Sequence, residues 1–227
     1  MADHITAYVE FLGLPGSGKS FFSHKVVEEL RKEGLEIAEP SWTLDHGYRK
    51  WLRAFRKLCM GGLFWSSHRD KAKGLMNAIK AYGLQKNDER RIIRNLLYKA
   101  YLLAKQGKSI FFFDEGIAQM AVSVAVGSEM QAQQIYNDWV RIFSFEQKCI
   151  VVKIDCDIET ALLNIDQRKS RDSKAERIEG LKAKIDYLTK YKKECESIVT
   201  NNMVTIPFNY NGEEVVANII NEIKTII

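Results

Sequence analysis

The chain has 227 residues, 46 % of them hydrophobic and 28 % charged, which suits one globular domain with a full core and excludes a disordered chain. No stretch approaches the ~18 uncharged apolar residues of a membrane span, and Met-Ala-Asp-His lacks the basic-then-apolar pattern of a signal peptide, so a cytoplasmic setting is expected. Net charge is +5, yet residues 45–73 alone hold eight basic and two acidic side chains, which predicts an acidic partner there, whether phosphates, nucleic acid or an anionic surface.

A first apolar run, residues 7–12, ends in a glycine-rich turn. A helix follows from Lys19, because Phe22, Val26 and Leu30 recur every fourth residue among charged neighbours, and Gly34 stops it. A short strand at 35–39 ends at Pro40, and the next apolar run, 109–113, comes some 70 residues later, too far for one crossover. Helices are therefore predicted at 48–60, broken by Gly61-Gly62, at 68–81, and at 89–106, the last with a continuous face of Ile92, Ile93, Leu96, Leu97, Ala100, Leu103 and Ala104. Beyond lie a buried strand at 149–154, a helix at 158–169, a long charged helix at 174–199, a strand at 203–206 and a final helix capped by Asn211-Gly212 with the stripe Val215, Ile219, Ile220, Ile223. Five strands alternating with helices predict a three-layer α/β domain built on a parallel sheet, with a helical insertion between strands two and three. Cys59, Cys149, Cys156 and Cys195 fall at no disulfide or zinc spacing.

The strongest chemical signal is Gly13-Leu14-Pro15-Gly16-Ser17-Gly18-Lys19-Ser20, which matches G-x-x-x-x-G-K-S/T between a predicted strand and a predicted helix. Glycines at 13, 16 and 18 let successive N–H groups turn onto an anion, and the helix N-terminus adds partial positive charge. Lys19 is expected on the β- and γ-phosphates of ATP and Ser20 on Mg2+. Phe21 gives up a side-chain contact but keeps its backbone amide for phosphate.

The run Ile110-Phe111-Phe112-Phe113 ends in Asp114-Glu115, where this fold needs a carboxylate for magnesium, and Asp114 is expected to supply it. Glu115 is placed to accept a proton, to orient an acceptor, or to activate water as in a motor ATPase, and the residues alone leave these open.

Together these residues resemble the P-loop nucleoside and nucleotide kinase group, thymidylate kinase in particular. Ala38-Glu39-Pro40-Ser41-Trp42-Thr43 is similar to the R-E-P-x-x-T of thymidylate kinases, and the helix ending Asp166-Gln167-Arg168-Lys169-Ser170-Arg171 is similar to their basic lid. The resemblance implies a five-stranded parallel sheet, ATP, magnesium and a mobile lid. Ala38 stands in place of the family's arginine, and Glu115-Gly116 in place of the last two residues of D-R-Y/F/H, so thymidylate is not the expected substrate.

The expectation is one kinase-like domain over 1–227, with core 1–44 and 107–227, insertion 45–106 and lid 166–178. It would pass the γ-phosphoryl group of MgATP to a small-molecule hydroxyl or phosphate, on a nucleotide, nucleoside or sugar. Arg168 and Arg171 would stabilise the charge in transfer, since guanidinium matches phosphate bidentately. Glu39, at the end of strand two, and Arg91 and Arg94, before the apolar helix face, would hold the acceptor. The rival reading is a switch or motor ATPase on a macromolecular partner, for which Asp114-Glu115 is the supporting feature. No base-reading N-K-x-D motif and no aromatic RNA-binding signature accompanies it, so nucleic acid is not expected. Segment 48–65, basic and aromatic, reads first as a substrate-lobe helix lining an anion pocket, with peripheral contact to an anionic surface as its alternative. Oligomeric state has no signal here.

Overall fold

A computed structural model describes residues 7–47, 49–105, 110–143, 148–167, 174–207 and 212–226. Strand β1 (Ala7–Gly13) is buried along its whole length and lies at the centre of a five-stranded parallel sheet ordered β2-β3-β1-β4-β5. Its partners are β3 (Ile110–Phe113) and β4 (Lys148–Asp155), with β2 (Ile37–Ala38) and β5 (Met203–Pro207) at the edges. Side chains alternate across the sheet as the pleat requires. Ala7, Val9 and Phe11 join Ile110, Phe112, Ile150, Val152 and Ile206 against α1 (Lys19–Lys32) and α11 (Gly212–Ile226). On the other face Tyr8, Leu12, Phe113 and Val151 meet a larger helical layer. Two apolar cores on one sheet make the expected three layers.

Helices α2 (Pro40–Gly47), α3 (Lys50–Ser67), α4 (Arg69–Ala81) and α5 (Lys86–Ala104) lie between β2 and β3. Strand β2 is shorter than expected because a helix begins at Pro40, whose fixed φ suits the first helical position. The glycine pair does not break α3. Gly61 faces α5, where an added Cβ would come within 3.2 Å of Leu97 Cβ, so close helix packing offsets the cost of glycine.

Helices α6 (Ile117–Ala125) and α7 (Ala132–Phe143), between β3 and β4, were not expected; α6 is buried nearly all round, so it shows no periodicity. After α8 (Ile158–Gln167), the single helix expected over 174–199 is two, α9 (Lys174–Arg177) and α10 (Leu181–Ser197). Gly180, at φ 86°, sits in the left-handed region between them and ends the run. Asn211 lies outside the described residues, and among those described no helix is long and apolar enough to cross a membrane.

Candidate active site

The phosphate loop leaves the carboxyl end of the central strand and runs into α1. Gly18 takes φ 78° as the residue before the helix, and Gly16 takes φ 88°. A Cβ on Gly16 would overlap the Ala161 carbonyl of α8, while Asn164 Nδ2 donates to the Gly16 carbonyl at 2.8 Å. Glycine is thus required there by both conformation and space. Lys19 is buried and folds back on its own loop, donating to the Gly13 carbonyl at 3.0 Å and the Leu14 carbonyl at 2.7 Å. Ser17 Oγ is buried in the same loop with no hydrogen-bond partner.

Ser20 Oγ donates to Asp114 Oδ2 at 2.9 Å. The two residues are 94 positions apart in the chain, and β1 and β3, hydrogen-bonded neighbours, deliver them to one point. Asp114 Oδ1 also accepts the Glu115 N–H at 3.0 Å, which fixes the carboxylate plane. A hydroxyl and a carboxylate oxygen side by side are a hard-oxygen pair suited to magnesium. The orphaned Ser17 hydroxyl and the buried ammonium on loop carbonyls suit an anion, so these residues fit MgATP.

A cleft of about 490 Å³ opens directly from this loop. One wall is Gly16, Gly18, Lys19 and Ser20; the others are Gln85, just before α5, with Asp88, Arg91, Ile92 and Asn95 from α5, Met120 and Ser123 from α6, Lys174 and Ala175 from α9, and Tyr187 and Tyr191 from α10. Glu115 also lines it. Arg91 does so while paired with Asp88 at 3.2 Å; Arg94 is not on the wall, and its Nε is buried.

Glu39 is buried at the end of β2. Its carboxylate accepts from His24 Nδ1 at 3.0 Å and lies 3.9 Å from Arg31 Nη1, and His24 in turn stacks on Trp42 at 3.7 Å. Burial raises the Glu39 carboxyl above the ordinary range, and the nearby charge of Asp114 adds to the rise. The Phe21 ring is turned away from the loop toward α11, where a Cβ on Gly212 would sit 3.8 Å from it. Its amide belongs to the first turn of α1, whose N–H groups have no intrahelical acceptor. Arg168 and Arg171 lie outside the described residues.

Three groups not anticipated from the sequence hold the site together. Gln119 is buried and clamps the loop: Oε1 accepts the Gly13 N–H at 3.0 Å, and Nε2 donates to the Gly13 carbonyl at 3.1 Å and to the Tyr191 hydroxyl at 2.6 Å. Lys99, from α5, donates to the Glu115 carbonyl and lies 4.5 Å from the centre of the Phe113 ring; burial lowers it to about 8. Glu10, in the middle of β1, accepts the Ala118 N–H at 2.9 Å beside Tyr8, whose hydroxyl accepts the Ile117 N–H at 3.0 Å. Burial raises Glu10 to about 7. A Cβ on Gly116 would overlap the Glu10 carboxylate, so no side chain fits there with Glu10 in this place. Two of the three left a signal in the sequence, a lone acid inside an apolar strand and a lone amide inside an apolar helix.

No protein-family model and no curated protein sequence matches the chain. Among solved structures, deoxyadenosine kinase from M. mycoides with products dCMP and a flexible dCDP bound is similar over 97 % of this chain and 100 % of that one, at 17 % identity and a TM-score of 0.54. The fold is that of a P-loop nucleoside kinase. The same kinase with bound dCTP is similar over 96 % of this chain and 100 % of that one, at 17 % identity and a TM-score of 0.47. Within this fold the phosphate loop, the Ser20–Asp114 pair and the cleft all gather at the carboxyl ends of β1 and β3, where open parallel sheets place their ligands.

Proposed function

We propose that the chain is a MgATP-dependent kinase that phosphorylates a small molecule, with a nucleoside or nucleotide as acceptor, in a cytoplasmic setting. The observation that carries this reading is the continuity of one cleft from Lys19 and Ser20 to the helices α5, α6 and α10. A hydrolytic switch needs room beside its nucleotide only for water, whereas this cleft of about 490 Å³ runs on from the phosphate loop to Ile92, Met120 and Tyr187, which favours a second small molecule. Ile92, Met120 and Tyr187 offer apolar faces to a planar ring, and Gln85, Asn95 and Asp88 offer hydrogen bonds.

When bound, MgATP supplies the phosphoryl group and the metal's charge. Ser20 and Asp114 hold the metal. Lys19 exchanges its two loop carbonyls for phosphate oxygens, and the loop amides, including that of Phe21, complete the cradle. Glu115 and Arg91, on the cleft wall, orient the acceptor. Glu39 does not line the cleft but lies near enough to Asp114 to feel its charge; it would take the proton of an acceptor hydroxyl brought up to the Ser20–Asp114 pair, with His24 and Arg31 holding its carboxylate in place. Segment 166–178 acts as the lid, bringing Arg168 and Arg171 to the phosphates; Lys174 and Ala175 on the cleft wall support that assignment. The core would then comprise 1–44 and 107–227 and the insertion 45–106.

The test is phosphorus NMR of the protein with ATP and magnesium, alone and with pooled nucleosides, nucleoside monophosphates and sugars. ADP formed only with an acceptor, alongside a new phosphorus resonance, is expected, and Lys19→Ala should lower that rate by about 10²–10³-fold. Steady release of free phosphate without an acceptor would overturn the kinase reading in favour of an ATPase.

A further inference from the structure

The basic aromatic helix α3 takes no part in the cleft, whose described lining includes no residue of 49–67. Its inner face is anchored on α5: Phe64 is buried, Gly61 lies against Leu97, and Lys57 Nζ sits 5.6 Å from the centre of the Tyr98 ring. Its outer face is apolar. Trp51, Phe55, Leu58 and Leu63 are 65, 60, 62 and 53 % exposed, four of the ten large hydrophobic side chains exposed among the described residues. At about 100° per residue, Trp51, Phe55 and Leu58 fall within an arc of about 60°, with exposed Gly62 on the same line and exposed Leu63 about 80° beyond its edge. Burying such side chains would be worth more than leaving them in water, so a covered state is favoured.

Charge decides what covers it. Between Arg49 and Ser67 the sequence holds five basic residues, Arg49, Lys50, Arg53, Arg56 and Lys57, and no acidic one. Arg49 and Arg56 are exposed, as are Arg69 and Lys73 on α4. On the same projection exposed Arg56 and Arg49 fall at about 140° and 160° from Trp51, beside Leu63, so a second copy seated on this face would bring the rim cations of the two chains together. An anionic lipid surface answers both features, because its headgroups pair with the cations while its acyl boundary takes the Trp, Phe and Leu side chains. We infer that α3 docks the protein on an anionic membrane surface, with Trp51, Phe55, Leu58 and Leu63 inserted and the cleft left open to solvent. This goes beyond the kinase reading and does not depend on it.

The full chain tests the inference by co-sedimentation with vesicles of phosphatidylcholine mixed with phosphatidylglycerol, against vesicles of phosphatidylcholine alone. Binding to the anionic vesicles should be about tenfold tighter or more, and should weaken as salt rises. The triple variant Trp51→Ser, Phe55→Ser, Leu58→Ser removes only exposed side chains, so it should melt with the wild type and lose at least about tenfold in binding. The single variant Leu58→Glu should weaken binding as well. Equal binding to both vesicle types, none to either, or undiminished binding by both variants would overturn the inference. So would sedimentation equilibrium showing a dimer that the triple variant abolishes, which would make the occupant a second copy.

Discussion

At the residue scale, two carboxylates lie near the Ser20–Asp114 pair and their surroundings give them different chemistry. Glu115 lines the cleft, exposed to solvent. Glu39 is buried against His24 and Arg31, and burial holds its carboxyl above the ordinary range. A carboxylate made more basic in this way is the better proton acceptor near neutral pH. If Glu39 takes the acceptor's proton, the rate should fall with acidity as pH drops through its raised value, at a higher pH than an ordinary carboxylate would set. Glu39→Gln should lower kcat by about 10²–10⁴-fold and remove that acid limb, while leaving ATP affinity within a few fold. A pH–rate profile of wild type and variant checks it; an unchanged acid limb in Glu39→Gln would assign the proton to another group. Much of this site was legible in the residues. The G-x-x-x-x-G-K-S/T spacing is local, and Asp114 ends a run too apolar to be anything but a strand. The hold on Glu39 was not legible, since His24 and Arg31 lie on α1 and only the packing of α1 beside β2 brings them to it.

At the element scale, the anchor of α6 shows why lone polar residues in apolar runs are informative. The N-terminus of α6 presents N–H groups without intrahelical acceptors, and β1 supplies two, the Tyr8 hydroxyl and the Glu10 carboxyl. Burial raises Glu10 to about 7 from the usual 4.5. A carboxyl raised on folding favours the protonated native state, so its contribution is present below pH ~4.5 and lost as pH rises through ~7. The difference of about 2.5 pH units corresponds to about 3 kcal/mol. Glu10→Gln keeps an oxygen for the Ala118 N–H and cannot ionise. Its stability relative to wild type should therefore improve by about 3 kcal/mol between pH 4 and pH 8, a rise in the Tm difference of about 6–12 °C for a chain of this size. Thermal melts of both proteins across that range are the measurement, and a Tm difference that stays flat with pH would mean that Glu10 is not held protonated by burial. The continuity of α3 has a similar lesson. Gly61-Gly62 reads as a break by propensity, and tertiary packing of Gly61 on Leu97 overrides it. α6 shows no period for the opposite reason: a helix buried at every position but Ser123 has no polar face to set one.

At the scale of the whole molecule, the cleft joins elements far apart in the chain, and ligand binding should therefore tie them into one cooperative unit. The loop after β1 is clamped by Gln119 of α6, Gln119 donates to Tyr191 of α10, and Asn164 of α8 donates to Gly16. MgATP held on the loop would stabilise all of these together, because it binds the folded state and has no site in the unfolded chain. At a hundredfold excess over Kd the gain is about 2.7 kcal/mol, or about 5–10 °C in Tm for a protein of this length. The rise should need magnesium, since Ser20 and Asp114 contribute through the metal, so EDTA should reduce it. Asp114→Asn should reduce it as well, and Lys19→Ala should abolish it without altering the Tm of the free protein by a comparable amount. A differential scanning measurement with ATP, with MgATP and with EDTA separates these cases. If MgATP left the Tm unchanged at every concentration, the loop would not be a phosphate site, and the Ser20–Asp114 contact would be only a bridge between α1 and β3.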